Sequence, residues 1–218
     1  MFNKRSLRMK FTNNWFEMSA RRLWDAALKD RPIKTYLEIG SYEGASVCWA
    51  IQNLENLEVA VCVDTWEGAE EHKAAEIDMS SVESYFDENV SEAGEAIDHH
   101  IEVVKLKERS CVALASLINE GYSGAFDLVY VDGSHLASDV LTDLSLGFEL
   151  LADGGLMVMD DYLWMPLSVE GSLNQESFNP LKSPKLAIDA FTNIYRDKCA
   201  QLTCPPSQVM VEKFPAAH

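Results

Sequence analysis

Asp64, Asp132, Asp160 and Asp161 each close a short apolar run, and His135 follows Asp132 by three positions. Carboxylates in such places face the edge at which open α/β sheets bind ligands. One acid there serves as a helix cap as readily as a ligand. Three of them, Asp132, Asp160 and Asp161, at the ends of neighbouring strands would repel one another unless a hard cation lay between them. Ligation by oxygen alone suits Mg²⁺, or else Mn²⁺ or Ca²⁺. A histidine titrates near neutrality, so His135 is a candidate general base, with Asp132 as the alternative. Its plainer role is a hydrogen-bonded residue at a helix start.

The run Glu38-Ile-Gly40-Ser41-Tyr-Glu-Gly44 is a glycine turn feeding a helix, where free N–H groups and the positive end of the dipole attract an anion. A dinucleotide loop would place a glycine where Tyr42 stands, beside Glu43, and a ring with a carboxylate suits two phosphates poorly. The turn therefore favours a phosphate-free nucleoside, and Asp64 has the type and place to accept hydrogen bonds from a ribose diol. S-adenosylmethionine fits both features. The plain strand-to-helix turn is the competing reading of the glycines. A nicotinamide-dependent oxidoreductase and a non-catalytic S-adenosylmethionine-binding protein are the competing functions.

Strands and helices must alternate to bring these residues to one edge. Strands are expected at 35–39, 57–64, 101–106, 126–132 and 156–160, and helices at 45–54, 110–119 (with Ser110 as its cap), 136–151 (stopped by Gly154-Gly155) and 186–195. That order implies right-handed crossovers and a parallel sheet covered on both faces. An amphipathic helix over 13–29 precedes the first strand as a cap. The tail reads as two strands around Pro205-Pro206, too close for a crossover and so antiparallel. Trp66 and Trp164 each follow a site acid and are candidates for a pocket wall.

Composition bounds the rest. The 218 residues are 47% hydrophobic and 24% charged, with 11 glycines and 7 prolines, which excludes collagen-like and low-complexity chains. Eighteen basic residues against 35 acidic ones give a net charge of −17, a poor match for nucleic acid or anionic membranes. Nine of the bases fall within residues 1–34, whereas 64–98 holds twelve acids and one lysine. That acidic stretch reads either as a solvated face or as a lid. No run of 18 apolar residues occurs and the basic N-terminus lacks an apolar signal region, so a cytoplasmic location is expected. The five cysteines show no C-x-x-C spacing and read as reduced.

The pieces YLEIGSYEGASVCWA, VDTWEG, FDLVYVDGSHLASDVLTDL, LLADGGLMVMDDYLW and PKLAIDAFTNIY…QVMVEK resemble, in order, the class I S-adenosylmethionine-dependent methyltransferases of the Methyltransf_24 group, similar to macrocin- and catechol-type O-methyltransferases. The resemblance implies a Rossmann-like α/β fold, with a seven-stranded, mostly parallel sheet whose last strand is antiparallel and helices on both faces. It implies a domain over 35–213, preceded by a basic helical cap over 1–34, carrying the 65–98 insertion, and followed by a 214–218 tail. By motif position Glu38, Gly40, Ser41 and Gly44 would hold the methionine end of the cofactor, Asp64 and Trp66 the ribose side, and Ser110 the adenine. Asp132 would touch the cofactor and, with Asp160 and Asp161, a divalent cation. His135 stands where catechol-type relatives carry a lysine, a departure that changes the reach and basicity of the base. The implied partner is a small-molecule hydroxyl acceptor such as a sugar, a macrolide-type compound or a phenolic diol. A homodimer through the N-terminal segment is a further implied arrangement.

Overall fold

The computed structural model describes residues 9–68, 77–164 and 179–216. The first eight residues, part of the acidic stretch, the end of the expected tail, and His72 and His218 lie outside them. The chain order is α1 (Trp15–Ser19), α2 (Arg21–Ala27), β1 (Thr35–Ile39), α3 (Ala45–Asn53), β2 (Val59–Asp64), α4 (Val82–Glu95) and β3 (Glu102–Lys107). There follow α5 (Ser110–Asn119), β4 (Phe126–Val131), α6 (Ala137–Leu150), β5 (Leu151–Met159), α7 (Pro184–Ile194), β6 (Cys199–Leu202) and β7 (Val209–Lys213).

The seven strands form one sheet in the order β3-β2-β1-β4-β5-β7-β6. The first five pair in parallel, and β7 runs antiparallel to both its neighbours. A sheet whose strands are buried on both faces needs apolar residues at nearly every position, which is what VAVCVD and FDLVYV supply. The N-terminal helices, α3 and α4 pack one face around Trp24, Tyr36, Trp49 and Phe86. Helices α5, α6 and α7 pack the other, around Leu114, Leu144, Phe148 and Phe191.

Several local expectations are revised. The single helix over 13–29 is two, joined at Ala20, and the bend turns both Phe16 and Trp24 inward to meet edge to face at 5.1 Å. Trp24 is fully buried and also meets Trp49, Tyr130 and Tyr36 edge to face, so this segment is part of the core that covers the sheet. Ser110 is the first residue of α5, and Arg109 holds the cap position. Gly154 and Gly155 do not stop α6: the chain turns extended at Leu151, and the glycines lie inside β5 at an irregularity in its pairing with β4. Helix α4 lies within the acidic 64–98 stretch and was not anticipated there. Its acids hide a stripe of Val82, Phe86, Asn89 and Ala93 that packs into the core. All five cysteines are free thiols, and Cys48, Cys62 and Cys199 are buried.

One contact sets the shape of the carboxyl edge. Gly40 leaves β1 at φ +89, and a Cβ there would lie 2.2 Å from the carbonyl oxygen of Asp132, just beyond β4. Gly40→Ala should therefore cost about 3 kcal/mol or more of folding free energy in urea titrations. Gly94→Ala, in α4 with open space around it, should leave stability unchanged or raise it by up to about 1 kcal/mol.

Candidate active site

The turn after β1 has three consecutive needs for left-handed backbone or close approach, at Gly40, Tyr42 (φ 46) and Gly44 (φ 81). Asp64, at the end of β2, holds it in place. Its Oδ2 accepts the N–H groups of Ser41 (2.9 Å) and Tyr42 (2.8 Å), and its Oδ1 accepts that of Trp66 (2.7 Å). Trp66, itself at φ 54, donates its indole N–H to the Tyr42 carbonyl at 2.8 Å and packs against Phe86.

Beneath this turn Glu38 is fully buried and accepts the hydroxyl of Ser46. Burial raises its carboxyl to about 7 against the opposing pull of that hydrogen bond. Glu43, also buried, is turned away from any ligand phosphate: its carboxylate accepts the backbone N–H and the hydroxyl of Thr12, both at 2.7 Å. Asn89 of α4 locks the same junction, bonding both polar backbone groups of Lys10 and the carbonyl of Glu43. The N-terminal segment is thus latched across the glycine turn. No motif announces this, because Thr12 is an ordinary residue whose partner lies 31 positions away.

At the β4 and β5 ends the acids meet. The buried hydroxyl of Tyr130 sits 2.9 Å from Asp132 Oδ2 and is also hydrogen-bonded to Asp160 Oδ2. A single hydroxyl proton satisfies one carboxylate, so the second contact needs a proton on the other acid. Burial, then the charges of Asp160 and Asp161, holds Asp132 well above the usual carboxylate range. Burial and Asp161 raise Asp160 to about 6. Asp160 is further bonded by Gln208 Nε2 (2.8 Å) and by the N–H of Asp161 (2.7 Å). Asp161, at φ 55, aims Oδ2 at His135 Nε2, 2.8 Å away, and the His135 ring lies against Trp164 with centroids 3.8 Å apart and planes tilted by 31°.

The expected cation set is not preformed. Among the described residues no group of three or more His, Cys, Asp or Glu side chains is arranged to hold a metal ion. The reason is visible in the partners: both oxygens of Asp160 are taken by protein donors, and Asp161 is turned to His135. The chemistry of the donors nevertheless fits a hard dication, since the charges of Asp160 and Asp161 raise the proton affinity of Asp132 and that of Asp161 raises that of Asp160.

These strand ends open on one cavity of about 880 Å³. Of the residues expected at the cofactor and the cation, Gly40, Ser41, Asp64, Ser110, Asp132, Asp160 and Asp161 line it, as does His135. Glu38, Gly44 and Trp66 stand behind the wall as supports for the turn. Trp164 lines it, in keeping with its expected place. Two contributors escaped sequence reasoning. Asp143, one helical turn beyond Asp139 on α6, lines the cavity with its carboxylate buried, and burial raises it to about 7 against the pull of a hydrogen bond from Ser110. Phe11, Trp15 and Met18 of the latched N-terminal segment line it as well.

Residues 37–162 match the Methyltransf_24 family, a methyltransferase domain, and the chain belongs to it. That membership displaces the nicotinamide-dependent alternative. Among solved structures the chain is similar in fold to the O-methyltransferase from Bacillus cereus in complex with SAH (17% identity, TM-score 0.56, covering 89% of this chain and 81% of that one). It is also similar to the O-methyltransferase TomG from Streptomyces achromogenes, involved in tomaymycin synthesis and in complex with SAM (19% identity, TM-score 0.59, 89% and 79%). A third is the MycE methyltransferase of the mycinamycin pathway in complex with Mg, SAH and mycinamycin VI (17% identity, TM-score 0.57), of which this chain spans 50% while 95% of its own length is covered. No curated protein sequence matches the chain significantly. No described helix is long and apolar enough to cross a membrane.

The buried Glu38 gives a pH test. Its carboxyl ordinarily titrates near 4.5 and in the fold near 7, so between these values the folded chain keeps a proton that the unfolded chain has lost. The stability this confers is complete below about pH 4.5 and lost as pH rises through 7, by about 3 kcal/mol. Glu38→Gln should therefore gain stability relative to the parent chain between pH 5 and 8, measured by urea unfolding at each pH.

Proposed function

We propose that this protein transfers the methyl group of S-adenosylmethionine to a hydroxyl oxygen of a small molecule. The observation that carries the reading is the convergence, on one cavity, of the Gly40 turn, Asp64, Ser110 and the His135–Asp161 pair. Solved relatives described as O-methyltransferases in complex with SAH or SAM support it. When bound, the cofactor supplies a sulfonium methyl, which leaves as the acceptor oxygen bonds to it and the thioether remains.

The chain's own residues do the rest. The helix α3 N-terminus and the Gly40 turn receive the cofactor's carboxylate end, and Asp64, with three lone pairs taken by backbone N–H groups, keeps one on Oδ1 for a ribose hydroxyl. Backbone groups hold Asp64 rigid, so no side-chain ordering is left to do on binding. His135 takes the acceptor's proton: Asp161 orients its ring and stabilises the imidazolium, and Trp164 fixes its plane. Asp132 is the weaker candidate for the base, because the Tyr130 hydroxyl occupies its Oδ2 and burial with two neighbouring acids favours its protonated form. A divalent cation, of the kind seen with MycE, would be held by Asp132, Asp160 and Asp161 and would lower the acceptor hydroxyl's pKa.

Single-turnover transfer from methyl-labelled cofactor should fall at least about a hundredfold in His135→Ala. Cation assistance predicts a comparable loss with EDTA or in Asp160→Asn, restored by Mg²⁺ only in the parent chain. Transfer that survives both EDTA and Asp160→Asn unchanged would remove the cation from the reaction. Tight S-adenosylhomocysteine binding with no transfer to any hydroxyl compound would leave a binding protein in place of an enzyme.

A further inference from the structure

The charge of the cavity wall is lopsided. Asp132, Asp160 and Asp161 occupy the β4 and β5 ends, and Asp64 closes β2 beside the glycine turn. Glu108 follows β3, while Asp139 and Asp143 project from α6. Against these, the described residues lining the cavity include one guanidinium, Arg109, and one imidazole, His135. A divalent cation and the cofactor's net positive charge still leave the wall negative. Inside a concave wall of low dielectric this field is focused on whatever enters.

The rim has a different character. Trp15 is 49% exposed and Met18 77% exposed, a large apolar surface held out at the cavity by the Thr12–Glu43 latch. Trp15 also rests its ring 5.3 Å from that of Tyr42, in the glycine turn. Trp164 faces the same space beside His135. Three broad hydrophobic side chains offer contact area to a flat apolar body but no positive charge to pair with a carboxylate or phosphate.

From these two features we infer that the site selects its acceptor by charge: it takes an uncharged or cationic aromatic hydroxyl compound and rejects anionic ones, including carboxylates, phosphate esters and acyl groups carried on phosphorylated thiols. The inference rests on the methyl-transfer reading above and adds the acceptor's class to it. Met18 is the position at which the selection can be altered without touching the machinery, since it is exposed at the rim.

Three catechols that differ only in one substituent provide the test: 3,4-dihydroxybenzylamine, 3,4-dihydroxybenzyl alcohol and 3,4-dihydroxybenzoate. Binding to the full chain loaded with S-adenosylhomocysteine is read from quenching of tryptophan emission, and methyl transfer is read with labelled S-adenosylmethionine, both with and without Mg²⁺. The amine and the alcohol should bind and react at least about tenfold better than the benzoate, with the gap shrinking as salt rises. Met18→Arg should narrow the gap by roughly threefold or more, chiefly by improving the benzoate. Binding in that order without transfer would keep the charge selection and overturn the methyl-transfer reading. Benzoate equal to or better than the alcohol, or no binding by any of the three, would overturn the inference.

Discussion

Three backbone N–H groups converge on the carboxylate of Asp64, and much of the site depends on that arrangement. A glycine turn with left-handed residues at Gly40, Tyr42 and Gly44 has little hydrogen bonding of its own, and each such residue other than glycine costs free energy that surrounding contacts must offset. Asp64 provides those contacts from the neighbouring strand. The parallel register of β1 with β2 puts its carboxylate beside the turn, so sheet pairing and loop shape are one fact. Trp66 extends the arrangement, using its own strained backbone to point its indole N–H at the carbonyl of Tyr42.

The β4 and β5 ends solve the opposite problem. There the difficulty is too much charge, and Tyr130 answers it with a buried hydroxyl that donates to one acid and accepts a proton carried by the other. This makes the acid cluster tolerable in the absence of a cation, at the cost of turning the carboxylates toward protein donors. A cation would have to compete with Tyr130 and Gln208 for Asp160, and with His135 for Asp161.

The strand and helix order was legible because period and apolar runs are local properties: β1, α3 and β4 lie within two residues of where the pattern put them. Asp64, Asp132, Asp160, Asp161 and His135 were legible because acids and a histidine at strand ends are conspicuous. The misses share one cause, dependence on distant partners. Helix α4 was hidden by its acids, since only the packing of Phe86 and Asn89 explains its buried face. Glu38 and Trp66 have the right types at the right spacing, yet they support the turn from behind, a difference that depends on depth and not on spacing. Asp143 reads as one more polar residue on a helix, and only its burial at the cavity sets it apart.

Trp24 has no polar role and lies far in sequence from the acids of the site, yet its ring meets that of Tyr130 edge to face with centroids 4.8 Å apart. The same tryptophan anchors α2 against Tyr36 and Trp49. The position of the hydroxyl that bridges Asp132 and Asp160 is therefore set in part by how an N-terminal helix seats itself on the sheet. A segment that contributes no ligand inherits the tolerances of the chemistry, so its freedom to vary is that of an active-site residue and not that of a surface cap.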